Sequence, residues 1–355
     1  MIPMQVTGVD QQQSWSGTGL PPVEQVRPGL WSIPVPIPNN PLRYVLSYGF
    51  ETRRGIVLVD PGWHADSAYQ ALNDGLKHAG FSIKDVQGVL VTHVHPDHYG
   101  LAHRVREDSG AWVALHAADA AIIHQTRGRQ PYLAESLAGD LLEAGAPPAE
   151  IERTAEDAAG MRRFMPQALP DREIVEGERV DVPGWHITPI WTPGHSPGHV
   201  CFFDEDRQLL LSGDHVLPRI SSHIGHHPGS DPDPLGDFLE SLRKLIDRGE
   251  PDEILPAHQW RFVGLVDRAT QLIEHHHQRL AELMGILRAE GTATLWDIAA
   301  QLRWFTPWAE FNSFLRRAAL SETRAHVVYL ERRGEVVGKG QRPRLYAIGR
   351  LPEGT

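Results

Sequence analysis

The chain has 355 residues, 41% of them hydrophobic, and a formal net charge of -11. That length allows about two domains with full cores, and the negative balance argues against broad, non-specific binding of nucleic acid. The single cysteine, Cys201, excludes an internal disulfide framework and a thiolate-rich zinc finger. No apolar run reaches the ~20 residues of a membrane span. The first residues lack the basic-then-apolar order of a secretory signal, so a cytoplasmic location is expected.

Residues 1–22 are polar and rich in Gly and Pro, and are expected to be loose or to wrap the surface. From Gly29 short apolar or alternating runs follow, LWSIPVPI, LRYVLSYGFET and GIVLVDPGW, separated by Pro, Asn and Gly; these read as successive strands. The last ends at Asp60-Pro61-Gly62, a turn that also suits support of a site from behind. HADSAYQALNDGLKHAG carries Ala68, Leu72 and Leu76 at helical spacing, with Gly80 as its stop. A further strand, Val86 to Thr92, then a helix and the strand WVALHA indicate an α/β layered domain. Residues 118–170 read as a charged helical insertion, a lid or wall of a pocket or else surface packing. Strands resume at REIVEGERVDVPGWHITPIW, and HVCFF places Cys201 in one of them as a buried small hydrophobe.

The chemistry-bearing residues gather at strand ends. VTHVHPDHYG puts His93, His95, Asp97 and His98 into six residues directly after a strand. A loop leaving a strand folds alternate side chains towards one centre, whereas a helix scatters them. Imidazole and carboxylate together suit zinc or a similar first-row ion. TPGHSPGHV repeats the placement with His195, and His199 four residues later is support, pocket wall or incidental. LLLSGDHV ends at Asp214, whose two oxygens can bridge two cations, and DEILPAHQW ends at His258.

This order, H-x-H-x-D-H, TPGHSPGH, SGDH and PAH, resembles the metallo-β-lactamase-fold hydrolase superfamily over roughly Gly29 to Trp260. The resemblance implies an α/β fold, a four-layer αβ/βα sandwich with a dinuclear site at one edge. His93, His95 and His195 would bind one metal, Asp97, His98 and His258 the other, and Asp214 would bridge them. Zinc is the expected ion, with iron or manganese the other candidates. Asp214 and the missing export signal separate the chain from true zinc β-lactamases and bring it nearer the glyoxalase II, lactonase and thioesterase-like branches. Two cations sharing a water bring its pKa from about 15.7 towards neutrality and stabilise a developing oxyanion. The expected activity is therefore hydrolysis of an ester, thioester or lactone in a small acyl substrate by a bridging hydroxide. Asp214 and Asp97 are the candidate catalytic carboxylates.

Specificity is less legible. Trp63 and Tyr99 are candidates for an apolar pocket wall or for core packing. Arg219, His223, His226 and His227, in a Pro- and Gly-rich loop after Asp214, are candidates for a pocket rim or a plain surface loop.

GDFLESLRKLIDR and the region from Val263 to Gly291 read as helices. The run His275 to His277 points three ways from a helix and reads as a solvated face. Thr294 to Leu302 and Ala309 to Leu320 read as helices, the latter with Phe311, Phe314 and Leu315 inward, and AHVVYLERRGEVVGKGQRPRLYAIG as two strands. The domain reading is thus a loose segment 1–22, a catalytic domain 23–265 and a helical, winged-helix-like α+β domain 266–355. From Gln278 onwards 12 Lys and Arg face 8 Asp and Glu, a net of +4, while the rest carries 22 against 37, a net of -15. A nucleic-acid reader shows a denser basic stripe, so packing or homodimerisation is expected of this tail. A metal-dependent nuclease, β-lactamase-like amide hydrolysis and a regulator with a vestigial site are the other readings. The complete ligand set disfavours the regulator.

Overall fold

The computed structural model describes residues 2–126, 133–161, 169–226 and 233–349; His227 lies outside them. The chain divides into two compact units, one of Met1–Gln125, Phe164–Ser222 and Ser241–Thr270, the other of Thr126–Arg163, His223–Glu240 and Gln271–Thr355.

The chain begins with β1 (Gln5–Val6) and α1 (Val9–Ser16), followed by the meander β2 (Glu24–Arg27), β3 (Leu30–Pro36), β4 (Tyr44–Thr52) and β5 (Gly55–Val59). Helix α2 (Asp66–His78), β6 (Val86–Leu90), the single turn α3 (Pro96–Tyr99), α4 (Ala102–Ser109) and β7 (Trp112–His116) come next. Because helices connect β5 to β6 and β6 to β7, these strands run parallel. Three helices, α5 (Ala117–Thr126), α6 (Leu133–Ala144) and α7 (Pro148–Met161), precede β8 (Arg172–Ile174), β9 (Ile187–Trp191), β10 (Val200–Asp204) and β11 (Leu209–Gly213). After α8 (Pro234–Arg248), β12 (Glu253–Pro256) and β13 (Phe262–Val263), the chain ends in α9 (Leu265–Glu290), β14 (Ala293–Thr294), α10 (Leu295–Gln301), α11 (Ser313–Arg332), β15 (Val336–Lys339) and β16 (Leu345–Ile348).

In the first unit two sheets, ordered β2-β3-β4-β5-β6-β7-β8 and β1-β13-β12-β11-β10-β9, pack face to face. Leu30, Phe50 and Val57 of one meet Phe202, Leu211 and Leu255 of the other in a shared cluster. The outer face of the first sheet is covered by Leu72, Leu76 and Val105 of α2 and α4, packed with Ile33, Leu58 and Val89. On the second sheet's outer face, Ser241 donates to the Pro193 carbonyl at 3.0 Å and Lys244 to that of Trp191 at 2.8 Å. Helix, sheet, sheet, helix is the expected four-layer order.

The N-terminal segment is more ordered than its composition suggests. β1 pairs with β13, and Gln11 of α1 is buried, its side chain bonding the Ser32 hydroxyl and the Arg261 backbone N–H. Backbone pairing, the Gln11 amide and the Arg43 guanidinium, which donates to the Ser14, Trp15 and Gly19 carbonyls, thus hold a stretch with few apolar residues.

In the second unit Arg316 of α11 reaches buried Glu150 of α7 at 2.6 Å, and a small sheet runs β14-β16-β15. AHVVYLER, expected as a strand, lies inside α11. Among its buried residues Thr323, His326, Val327 and Leu330 stand at i, i+3, i+4 and i+7, and Asn312 caps the helix by accepting from the Leu315 N–H. Phe314, expected inward, is 58% exposed. The His275 to His277 run does fan out, but its middle member is not solvated: His276 is buried 3.2 Å from His326.

Phe50 is fully buried, edge-on to Trp185 at 4.8 Å. Phe50→Ala should lower unfolding free energy by about 3–5 kcal/mol in urea titration; a loss below about 1 kcal/mol would place Phe50 outside the core. Burial, then the His326 ring, pushes His276 down to about 3 from 6.5. Between those values the unfolded chain binds a proton that the folded chain refuses, so stability falls as pH drops below 6.5. The urea midpoint of the wild type should therefore fall between about pH 7 and about pH 5, and His276→Phe should flatten that slope.

Candidate metal centre

All seven candidate ligands belong to the first unit and follow the C-terminal ends of strands: His93 to His98 after β6, His195 after β9, Asp214 after β11 and His258 after β12. Pro96 starts α3, a turn for which its fixed φ is suited, and this turn carries Asp97 and His98. His93 Nε2 lies 2.9 Å from His95 Nδ1 and 3.1 Å from His195 Nε2. His258 Nε2 lies 3.3 Å from Asp97 Oδ2 and 3.3 Å from Asp214 Oδ1, and His98 Nε2 is 3.5 Å from the same Asp214 oxygen. The other oxygen of Asp214 is 3.6 Å from His195 Nε2. Two donor sets, His93/His95/His195 and Asp97/His98/His258, therefore converge, and Asp214 faces both.

The donor chemistry fits divalent cations. His98 Nε2, His258 Nε2 and Asp214 Oδ1 are buried and face one another at 3.3–3.5 Å without hydrogen-bond geometry, a cluster that a shared cation would satisfy. Burial, reinforced by neighbouring imidazoles, holds His93 and His95 well below the usual imidazole range, so both are neutral and offer lone pairs. For His98 and His258 burial acts in the same direction, but the carboxylates of Asp214 and Asp97, joined at His98 by Asp60, outweigh it. His98 is raised well above its usual value and His258 up to about 10. Burial likewise opposes ionisation of Asp97, yet His98 and His258 bring it down to about 2.

A ring of buried partners orients these donors. Asp60, at φ +54° after β5, accepts from His98 Nδ1 at 2.8 Å and from the Thr92 N–H and hydroxyl at 2.8 and 2.7 Å. With its proton given to Asp60, the Thr92 oxygen accepts from His93 Nδ1 at 3.0 Å and leaves Nε2 facing the centre. His258 Nδ1 donates to the Tyr44 carbonyl at 2.8 Å, so Nε2 is the nitrogen left for a ligand role. His199 is support: its Nε2 accepts the Asp214 N–H at 3.2 Å while Nδ1 meets the Thr192 hydroxyl at 2.8 Å. Gly213, at φ +51°, allows this approach, since a Cβ there would lie 2.7 Å from His199 Nε2. Sequence reading anticipated Asp60 and weighed His199 as support, but not Thr92, Thr192 or the Tyr44 carbonyl. Thr92 immediately precedes H-x-H-x-D-H and Thr192 opens TPGHSPGH, whereas a carbonyl on a distant strand leaves no sequence signal.

Residues 40–258 match the model of the Metallo-beta-lactamase superfamily. The chain belongs to that superfamily. Acyl-coenzyme A thioesterase MBLAC2 of Homo sapiens is 31% identical over 183 residues, 48% of this chain and 54% of the relative; the Gallus gallus protein is 31% identical over 175 residues, 48% and 55%. The match thus spans about half the length of those curated relatives. A probable metallo-hydrolase, YqjP of Bacillus subtilis, is 26% identical over 283 residues, covering 78% of this chain and 84% of its own. Among solved structures, a metallo-beta-lactamase family protein from Thermus thermophilus superposes with TM-score 0.76 at 31% identity, covering 91% of this chain and all of that one. A beta-lactamase domain protein from Burkholderia ambifaria reaches 0.78 at 26% identity, over 92% and 94%. The chain accordingly has the superfamily's α/β fold.

Around the superfamily centre the candidate pocket residues divide. Tyr99 is 1% exposed within the cluster under the first sheet, and half-buried Trp63 packs against the same cluster. Arg219 is exposed, its backbone N–H held by the Gln259 side chain at 2.9 Å. His223 and His226 belong to the second unit, where His223 pairs with Glu322 at 3.3 Å and the His226 carbonyl accepts from Ser321. Among the described residues no helix is long and apolar enough to cross a membrane.

If His98 and His258 become metal ligands, their protons must leave. Zinc uptake by metal-free protein at about pH 7 should release about two protons, read from the dependence of the calorimetric heat on buffer ionisation, and affinity should rise with pH. Uptake without proton release would remove both residues from the ligand set.

Proposed function

We propose that this chain is a dinuclear metal-dependent hydrolase of thioester, ester or lactone bonds in a small acyl substrate, with zinc as the preferred ion. One observation carries the reading: the two oxygens of Asp214 face different donor sets, one towards His98 and His258 and the other towards His195. His93, His95 and His195 would hold one ion, Asp97, His98 and His258 the other, with Asp214 facing both. Bound there, two divalent cations lower the pKa of a shared water to about 7 and stabilise charge developing on an acyl oxygen. The catalytic carboxylates of this reading are Asp214 and Asp97, which would take up a proton and pass it to a leaving group. His199, Thr92 and Asp60 keep imidazole and carboxylate orientation constant during turnover.

Similarity to proteins named acyl-coenzyme A thioesterases favours the thioester within the acyl class. For the region after α9, the order α10, α11 and the sheet β14-β16-β15 supports a winged-helix-like module. Its small positive balance suits packing or self-association rather than nucleic-acid binding.

A panel of acyl thioester, lactone, β-lactam, phosphodiester and RNA, run on protein of measured metal content, tests the reading; turnover of the thioester or lactone alone is expected. Asp214→Ala should reduce that turnover by about 100-fold or more, matching the several kcal/mol that a metal ion supplies. Turnover of RNA alone, or a variant that keeps both metal content and rate, would overturn it.

A further inference from the structure

The two ligand-bearing loops that supply the three-histidine end come from different sheets. His93 and His95 leave β6 of the first, and His195 leaves β9 of the second. A centre built across two sheets needs something that fixes the separation of its loops.

Asp119, in the first turn of α5, is fully buried between these loops. Its Oδ2 accepts the backbone N–H of Val94, which stands between His93 and His95, at 2.8 Å. The same oxygen accepts the hydroxyl of Ser196, next to His195, at 2.8 Å, and Oδ1 accepts the Gly198 N–H at 2.6 Å. One carboxylate thus holds backbone or hydroxyl protons of both loops, with Val94 25 residues away in sequence and Gly198 79. The fit is tight from the other side as well. A Cβ on Gly198 would lie 2.5 Å from the Asp119 nitrogen and 2.7 Å from its Cγ, so the second Pro-Gly turn of TPGHSPGH accommodates Asp119 rather than a ligand.

We propose that Asp119 is a positioning residue for the three-histidine end: by clamping the Val94 and Ser196–Gly198 backbones, it sets the distance at which His93, His95 and His195 meet. The inference rests on the dinuclear reading above. A carboxylate is required because both oxygens accept. In Asp119→Asn one oxygen becomes an NH2 group facing a donor, and in Asp119→Ala the clamp is lost entirely.

The test is metal uptake, measured by titration of zinc and cobalt into metal-free protein with a competing chelator, with cobalt absorption reporting the coordination of each ion. Wild-type protein should take up two ions. Ser196→Ala, Asp119→Asn and Asp119→Ala should weaken one of the two in that order, reaching about 10- to 100-fold for Asp119→Ala. The cobalt spectrum of the retained ion should be unchanged. Far-UV circular dichroism and the urea midpoint identify any variant that fails to fold; Ser196→Ala, which removes one hydroxyl, then carries the comparison with Asp119→Asn. Two ions bound with wild-type affinity by folded Asp119→Asn or Asp119→Ala would overturn the inference alone. No uptake by wild-type protein would overturn the metal-centre reading and this inference with it.

Discussion

The first unit depends on the buried meeting of Asp214 with His98, His195 and His258. Bringing ionisable groups together away from water is expensive, and the cost falls only when opposite charge and hydrogen bonds are supplied at the same place. Here the supply is uneven. At one end Asp97 and Asp214 hold His98 and His258 charged, and at the other burial keeps His93 and His95 neutral. The centre is thus divided into a carboxylate-rich half and an imidazole half before any ion is considered, and Asp214 is the group common to both.

Such a centre persists because its walls are stiff. The two sheets place every ligand-bearing loop at a strand end, and the inter-sheet cluster around Phe50, Phe202 and Leu211 gives those ends a constant spacing. Polar contacts then set the fine geometry. Asp60 and Thr92 orient His98 and His93, the Tyr44 carbonyl orients His258, and His199 seats the backbone of Asp214. Each of these bonds reaches a candidate ligand directly, so stability and function draw on the same contacts. The second unit follows different logic, with helices tied by Arg316 to Glu150 and Arg324 to Glu143 around a small sheet.

Much of this was legible in the chain because strand and ligand signals coincide. Apolar runs ending in His, Asp or Pro-Gly announced β6, β9, β11 and β12, and α2 followed from Ala68, Leu72 and Leu76. Failures arose where local pattern and tertiary context disagree. HVVYL alternates like a strand, yet its apolar residues also satisfy helical spacing, and the Asn312 cap starts the helix that runs across them. The N-terminal segment looked unsupported because its anchors, β13 and Arg261, lie far along the chain, Arg261 250 residues beyond Gln11. Phe314 stands exposed although its neighbours suggested an inward face.

By itself the sequence determined the inventory: which residue types exist to hold a cation, that they sit at strand ends, and that Asp214 has two oxygens to share. Side-chain identity and strand period are local properties, so they survive without coordinates. Only the tertiary structure decided which donors face one another, which histidines are neutral, and how the loops are clamped. The Tyr44 carbonyl, the two oxygens of Asp119 and the φ of Asp60 are matters of backbone approach and burial, set by how two sheets pack. No spacing along the chain encodes them.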